Sequence, residues 1–127
     1  MSYLMDTHAI VWMVDDTSKL SPTVKEIIAN PSNQIFICAI SLWEIAIKMS
    51  IGKMSLGITF DELIKGLRTS YFDFLQVEDE YMREISNLPF LHKDPFDRLL
   101  IATATVEDMT IITIDENIHK YDVTCIW

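Results

Sequence analysis

Apolar positions along this chain switch between two repeats, short β-type runs and stripes at helical spacing. Tyr3 to Asp6 reads as a short buried strand, and the apolar run Ala9 to Val14 follows at once. Ser21-Pro22 predicts a helix start, with serine at the cap and proline at the first helical position. Val24, Ile27 and Ile28 carry that helix on until Asn30-Pro31 stops it. Ile35 to Ile40 is β-rich and feeds a helix predicted from Ser41 to about Ile51, ending near Gly52. Thr59 to Arg68 is an amphipathic helix, with Phe60, Leu63, Ile64 and Leu67 on one stripe. Phe72 to Val77 predicts a strand, and Glu78 to Leu88 a helix with Tyr81, Ile85 and Leu88 on one face. Asp94-Pro95 opens a helix to about Asp108, and Thr110 to Ile114 is a buried strand. A helical turn from Asp115 to Lys120 and a strand from Val123 to Ile126 follow. Strands separated by helices imply an α/β fold, a parallel sheet with helices on both faces. Ligands of such sheets bind beyond the carboxyl ends of the strands.

Carboxylates fall at these same places. Asp6 closes the first strand, while Glu44, Asp97 and Asp115 are expected in the first turns of three later helices, with Asp94 one turn before Asp97. Four of the five have ordinary explanations. Ser41-Leu42-Trp43-Glu44 reads as a capping box. Asp94 caps a helix whose dipole favours Asp97, and Asp115 caps the turn Glu116 to His119. Asp6 has no such excuse, because an acid between apolar segments is costly to bury without a partner. Acids gathered at one sheet edge repel unless a cation joins them, and hard oxygen donors suit Mg²⁺ or Mn²⁺. Local pattern brings Asp6, Glu44 and Asp115 to strand ends. It does not bring Asp97, because two helices separate it from the preceding strand.

Other chemistries find little support. Ser41 lacks a glycine-flanked elbow, His8, His92 and His119 lack zinc spacing, and no glycine-rich phosphate loop exists. His92 and Lys93 beside Asp94 could touch a phosphate but read rather as a solvated loop, and Glu44–Lys48 as an i,i+4 helix pair. Arg98 is placed to reach a phosphate or a neighbouring acid.

With 127 residues, the chain is expected to form one domain spanning 1–127, and 50% hydrophobic content implies a packed core. The net charge of −9 argues against gripping nucleic acid by charge alone and suits a basic protein partner. Removing the five named acids lowers the acidic count from 19 to 14 against 10 basic residues, a net of −4. Cys38 and Cys125 sit in apolar runs and read as reduced core residues of a cytoplasmic protein. No secretory signal and no membrane-spanning run is expected. Trp12, Met13, Trp43, Met49 and Met54 lie outside the central strands, as core packing or as the lining of a partner groove or homodimer face. A phospho-receiver domain is a rival of similar length, but Asp15-Asp16 come too late for its paired acids and its final lysine is missing.

Four motifs in order carry a resemblance: Tyr3-Leu4-Met5-Asp6-Thr7-His8-Ala9 with Trp12; Ser41-Leu42-Trp43-Glu44-Ile45-Ala46-Ile47-Lys48 with Gly52-Lys53; His92-Lys93-Asp94-Pro95-Phe96-Asp97-Arg98-Leu99-Leu100-Ile101-Ala102; and Ile112-Thr113-Ile114-Asp115. The chain resembles the PIN-domain family from end to end, and within it the VapC-type toxin ribonucleases of toxin–antitoxin pairs. The resemblance implies a three-layer α/β/α sandwich around a five-stranded parallel sheet. It implies Mg²⁺- or Mn²⁺-dependent endonucleolytic cleavage of RNA, with Asp6, Glu44 and Asp97 as core metal ligands and Asp115 as a fourth, more variable acid. It places Thr7 and Thr113 near the metal or its water. Asp94 belongs to the motif as a cap or as a neighbour of the ligands, as does Arg98. It also implies an antitoxin partner and a homodimer or toxin–antitoxin hetero-oligomer. A PIN-like binding module without activity is the alternative that all four acids argue against.

Overall fold

Strands and helices alternate along most of the chain in a computed structural model that describes residues 1–127. The strands are β1 (Ser2–Met5), β2 (Gln34–Cys38), β3 (Asp73–Leu75), β4 (Thr110–Ile112) and β5 (Cys125–Ile126). The helices are α1 (Thr7–Asp15), α2 (Pro22–Ala29), α3 (Ala39–Ser50), α4 (Phe60–Arg68), α5 (Asp79–Glu84), α6 (Pro95–Glu107) and α7 (Glu116–His119). All strand pairs are parallel, in the order β3-β2-β1-β4-β5. The chain lays down β1, β2 and β3 in one direction, then crosses back to place β4 and β5 on the other side of β1. The direction reverses between β1 and β4, and a crevice opens at the carboxyl ends of strands at such a reversal.

The sheet divides two cores. Tyr3, Met5, Ile35, Ile37 and Ile112 face one, with α1, α2 and α4 supplying Ile10, Val24, Ile27, Leu63 and Leu67. Leu4, Cys38 and Ile111 face the other, with α6 and α7 supplying Leu100, Ile101, Ala104 and Ile118. Side chains of a strand alternate between faces, so three consecutive buried residues of β1 serve both layers. This is the three-layer sandwich expected from the strand and helix pattern.

Local signals set several boundaries. Ser21 Oγ accepts the Val24 N–H at 3.1 Å and starts α2. Thr59 and Glu62 form a reciprocal capping box on α4. α3 ends in a Schellman motif: Gly52 has φ +74°, its N–H bonds the Met49 carbonyl at 3.2 Å, and the Lys53 N–H bonds the Lys48 carbonyl at 2.8 Å.

Three boundaries differ from expectation. α3 begins at Ala39 directly after β2 and has no side-chain cap, so Ser41 and Glu44 form no capping box. Ser41 is buried, and Glu44 lies in the second turn, not the first. Ile40 packs into one core and Leu42 into the other, and that two-sided burial outweighs the cap preference of a serine two residues on. The predicted helix over 78–88 divides into α5 and a 3₁₀ turn, Ile85–Asn87. β4 stops at Ile112, although the Thr113 N–H still bonds the Ile126 carbonyl at 3.1 Å. Trp43 is 59% exposed and meets Phe96 edge-to-face at 5.4 Å, so it is not a core residue. Met13, Met49 and Met54 pack at the margin of the larger core, as does Trp12. No helix is long and apolar enough to cross a membrane.

Candidate active site

β1 and β4 bring the first acid and its partner together. Tyr3 pairs with Thr110, Leu4 with Ile111 and Met5 with Ile112, so one step further Asp6 meets Thr113. The Asp6 N–H extends the ladder to the Ile112 carbonyl at 3.1 Å. Asp6 also caps α1: its Oδ1 accepts the Ala9 N–H at 2.7 Å, and its Oδ2 accepts the Thr113 hydroxyl. The Thr113 oxygen in turn accepts the Asp115 N–H at 3.0 Å, and the His119 ring N–H bonds the Thr113 carbonyl at 3.0 Å. Asp6 is only 4% exposed. Burial raises its carboxyl above the ordinary range. The bonds from Thr113 and Ala9 and the nearby His8 pull it down, and the charge of Asp115 pushes it up. Burial likewise lifts the Cys125 thiol to about 11, with Asp6 adding to the effect.

Glu44 reaches the same edge from α3. Its Oε1 accepts the Thr7 hydroxyl at 2.6 Å, and its Oε2 pairs with Lys48 Nζ at 2.6 Å. The i,i+4 pair expected with Lys48 is therefore present, and it is not a surface decoration, because the Glu44 side chain is 7% exposed. Thr7 follows Asp6 in sequence, so one short segment ties the ends of β1 and α3.

The tertiary step that local pattern lacked is made by α6. α6 packs against α3 and α7, and its first turn carries Asp97 to the edge beside Asp115. Asp94 caps the helix, its Oδ1 accepting the Asp97 N–H at 3.0 Å. Burial raises the Asp97 carboxyl to about 6, opposed by the bond to His92 and reinforced by the charges of Asp94 and Asp115. Asp115 caps α7 through the Asn117 N–H at 2.8 Å. Its charge acts on both Asp6 and Asp97, so it lies near both.

Two sequence readings are corrected. Arg98 bridges no acid; its guanidinium donates to the Pro89 carbonyl and the Tyr121 hydroxyl, each at 3.0 Å. His92 is not a solvated loop residue. Its ring lies 3.1 Å from Asp97 Oδ2 and 2.8 Å from Tyr121 Oη, with 12% of the side chain exposed. Tyr121 was invisible as a site residue, since nothing in its local sequence links it to a position 29 residues earlier.

The donors match a hard divalent cation in kind, being carboxylate and hydroxyl oxygens. Burial is the main reason the Asp6 and Asp97 carboxyls are raised, and the charge of Asp115 adds to both. As the side chains stand, no three His, Cys, Asp or Glu are placed to hold one ion. Protein partners occupy the acids instead: Thr113 on Asp6, Lys48 on Glu44, His92 on Asp97. A cavity of about 780 Å³ lies at the opposite, amino-terminal edge of the sheet, lined by Met13, Ile28, Leu63, Leu67 and Phe72 among others. Its acids are Glu62 and Asp73 alone, so it has no part in the acid cluster.

A doubly wound α/β sandwich with acids at the reversal of strand order defines a class of protein that does its chemistry at the carboxyl edge of the sheet. The chain belongs to the PIN domain family, whose model matches residues 3–123, and the receiver alternative falls with that match. Three solved structures share the fold. VapBC2 from Rickettsia felis, bound to a DNA fragment from their promoter, is 16% identical with a TM-score of 0.75, covering 99% of this chain and 98% of that one. VapBC-1 from nontypeable Haemophilus influenzae is 16% identical, TM-score 0.70, covering 99% and 97%. FitAcB from Neisseria gonorrhoeae is 16% identical, TM-score 0.67, covering 98% and 96%. No curated protein sequence matches the chain.

Proposed function

We propose that this chain is a metal-dependent endoribonuclease and the toxin of a toxin–antitoxin pair. One observation carries the reading. The acid that follows β1 and acids from α3, α6 and the β4–α7 connection lie toward the carboxyl edge: Asp6 and Asp97, whose carboxyls burial raises, both feel the charge of Asp115, and Glu44 is tied through Thr7 to the residue after Asp6. A purely structural cluster has no reason to concentrate negative charge where burial makes it costly. PIN-family membership and the fold shared with the VapBC and FitAcB structures support the same reading and an antitoxin partner.

Asp6, Glu44, Asp97 and Asp115 would hold Mg²⁺ or Mn²⁺, which when bound makes a water nucleophilic and stabilises charge on a phosphate oxygen. The chain's own residues set the stage. Thr113 and the Ala9 N–H fix the Asp6 carboxylate, and Thr7 fixes Glu44. Lys48 holds the free oxygen of Glu44 and is the cation that a bound metal would replace. With a net charge of −9, the surface offers RNA little phosphate attraction, so binding depends on the metal and on a short recognised element. Exposed Trp43 and Phe90 flank this edge in sequence. The pair would work in the cytoplasm.

The test is incubation of purified protein with total RNA in Mg²⁺, in Mn²⁺ and in chelator, with new 5′ ends mapped and Asp6→Asn run in parallel. Cleavage that survives chelator, or that Asp6→Asn performs equally well, overturns the nuclease reading. A catalytically silent binding module is the second reading, favoured by the lack of three assembled ligands. Calorimetric titration with Mn²⁺ separates the two, since the silent module gives no saturable heat.

A further inference from the structure

The loop before α6 carries a hydrogen-bond chain that the four acids do not require. His92 spans two partners, with Nε2 at 3.1 Å from Asp97 Oδ2 and Nδ1 at 2.8 Å from Tyr121 Oη. The same phenol oxygen receives the His92 backbone N–H at 3.2 Å and Arg98 Nη1 at 3.0 Å. Tyr121 is 4% exposed, so water competes poorly for these bonds.

Donor and acceptor arithmetic then fixes a tautomer. A phenol offers two lone pairs and one proton. The two N–H donors occupy the lone pairs. The proton has two acceptors in reach, His92 Nδ1 at 2.8 Å and the His92 carbonyl at 3.5 Å, and the ring nitrogen is the shorter by far. A hydrogen on Nδ1 would bring a third donor against one oxygen. Neutral His92 therefore carries its hydrogen on Nε2, aimed at Asp97. Arg98 is itself anchored by the Pro89 carbonyl at 3.0 Å and lies 5.1 Å over the Phe90 ring, so its donation to Tyr121 does not depend on a free side chain.

Resting on the metal-site reading above, the geometry points to His92 as a positioning residue for Asp97, locked in its Nε2–H tautomer by Tyr121 and Arg98. The lock pins Asp97 Oδ2 and leaves Oδ1, which takes no protein hydrogen bond, free for a divalent cation. Ligands oriented by a second hydrogen bond bind metal more tightly, typically by 10–100-fold.

The test pairs a spectrum with a titration on the full chain. Two-bond ¹H–¹⁵N correlation spectra of the imidazoles are recorded at mildly alkaline pH, where a free imidazole is neutral, for the unmutated protein and Tyr121→Phe. The expected result is an Nε2–H pattern for His92 that becomes mixed in Tyr121→Phe, a variant that keeps the buried ring. Mn²⁺ titration should show affinity falling at least about tenfold in His92→Ala and largely restored in His92→Gln, whose amide N–H can replace Nε2–H. An Nδ1–H pattern in the unmutated protein, or a His92→Ala variant that binds Mn²⁺ undiminished, overturns the proposal. If the unmutated chain binds no Mn²⁺, the metal-site reading fails and the positioning role with it, while the tautomer spectrum still decides the Tyr121–His92–Asp97 geometry separately.

Discussion

Replacing Asp97 by asparagine should make the metal-free protein more stable while removing a residue the proposed activity needs. The carboxyl is carried from 3.8 to about 6, chiefly by burial, with Asp94 and Asp115 adding to it. At about 1.4 kcal/mol for each tenfold change in acidity, an ionised Asp97 disfavours folding by at most about 3 kcal/mol. Its side chain is 19% exposed, and a charge in the first turn of α6 gains something from the helix dipole, so the net benefit of the substitution is about 1–2 kcal/mol. Asparagine keeps an acceptor for His92, and its backbone N–H still reaches Asp94 Oδ1. For a chain of this length the gain is a melting temperature higher by roughly 4–8 °C. The pH dependence follows from the direction of the shift. The folded carboxyl holds its proton more tightly than the unfolded one, so between pH 3.8 and about 6 the folded state binds more protons. Stability of the unmutated protein therefore falls as pH rises through that window. The advantage of Asp97→Asn should be full above about pH 6 and gone below about pH 4. Thermal melts in chelator across this range measure it. A variant that melts lower at neutral pH, or an advantage unchanged in acid, would refute the electrostatic account of the site.

Three further outcomes are expected. Asp6→Asn should abolish RNA cleavage without lowering the melting temperature in chelator; a clear loss of stability there would mark Asp6 as structural. Thr113→Val removes the hydroxyl bonded to Asp6 and to the Asp115 N–H and should cost roughly 1–3 kcal/mol in urea unfolding, with Thr113→Ser restoring most of it. Lys48→Met strips the cation from the buried Glu44 carboxylate. It should destabilise the chelated protein by roughly 1–3 kcal/mol while tightening Mn²⁺ binding in calorimetry, because the metal no longer displaces an ammonium; unchanged or weaker binding would contradict the competition.

The sheet and its acids were legible where the signal is short-range. Ser21-Pro22 and Thr59 with Glu62 fix helix starts by side-chain caps that a sequence displays directly. Asp6 stood out as an acid between apolar segments, although its cap on α1 through the Ala9 N–H was not read from the sequence. The capping box at Ser41 misled for a physical reason: β2 runs straight into a helix buried on two sides, and burial outweighs a cap preference. Asp97 reached the edge only through the packing of α6 on α3, which no periodicity within either helix encodes. His92 was read as exposed because a histidine beside Lys93 and Asp94 has the composition of exposed chain, and Tyr121 escaped notice because its bond joins that loop to a segment beyond the last helix.

The reversal between β1 and β4 also bears on synthesis. β1 can pair with β2 early, since Tyr3 matches Ile35, yet its other neighbour is made more than a hundred residues later, with Tyr3 matching Thr110. A nascent chain still attached at residue 100 displays Asp6 and Glu44 but lacks the threonine that seats the first and the aspartate that faces it. Such a chain lacks half of the acid edge, which is complete only once β4 and the segment after it are made.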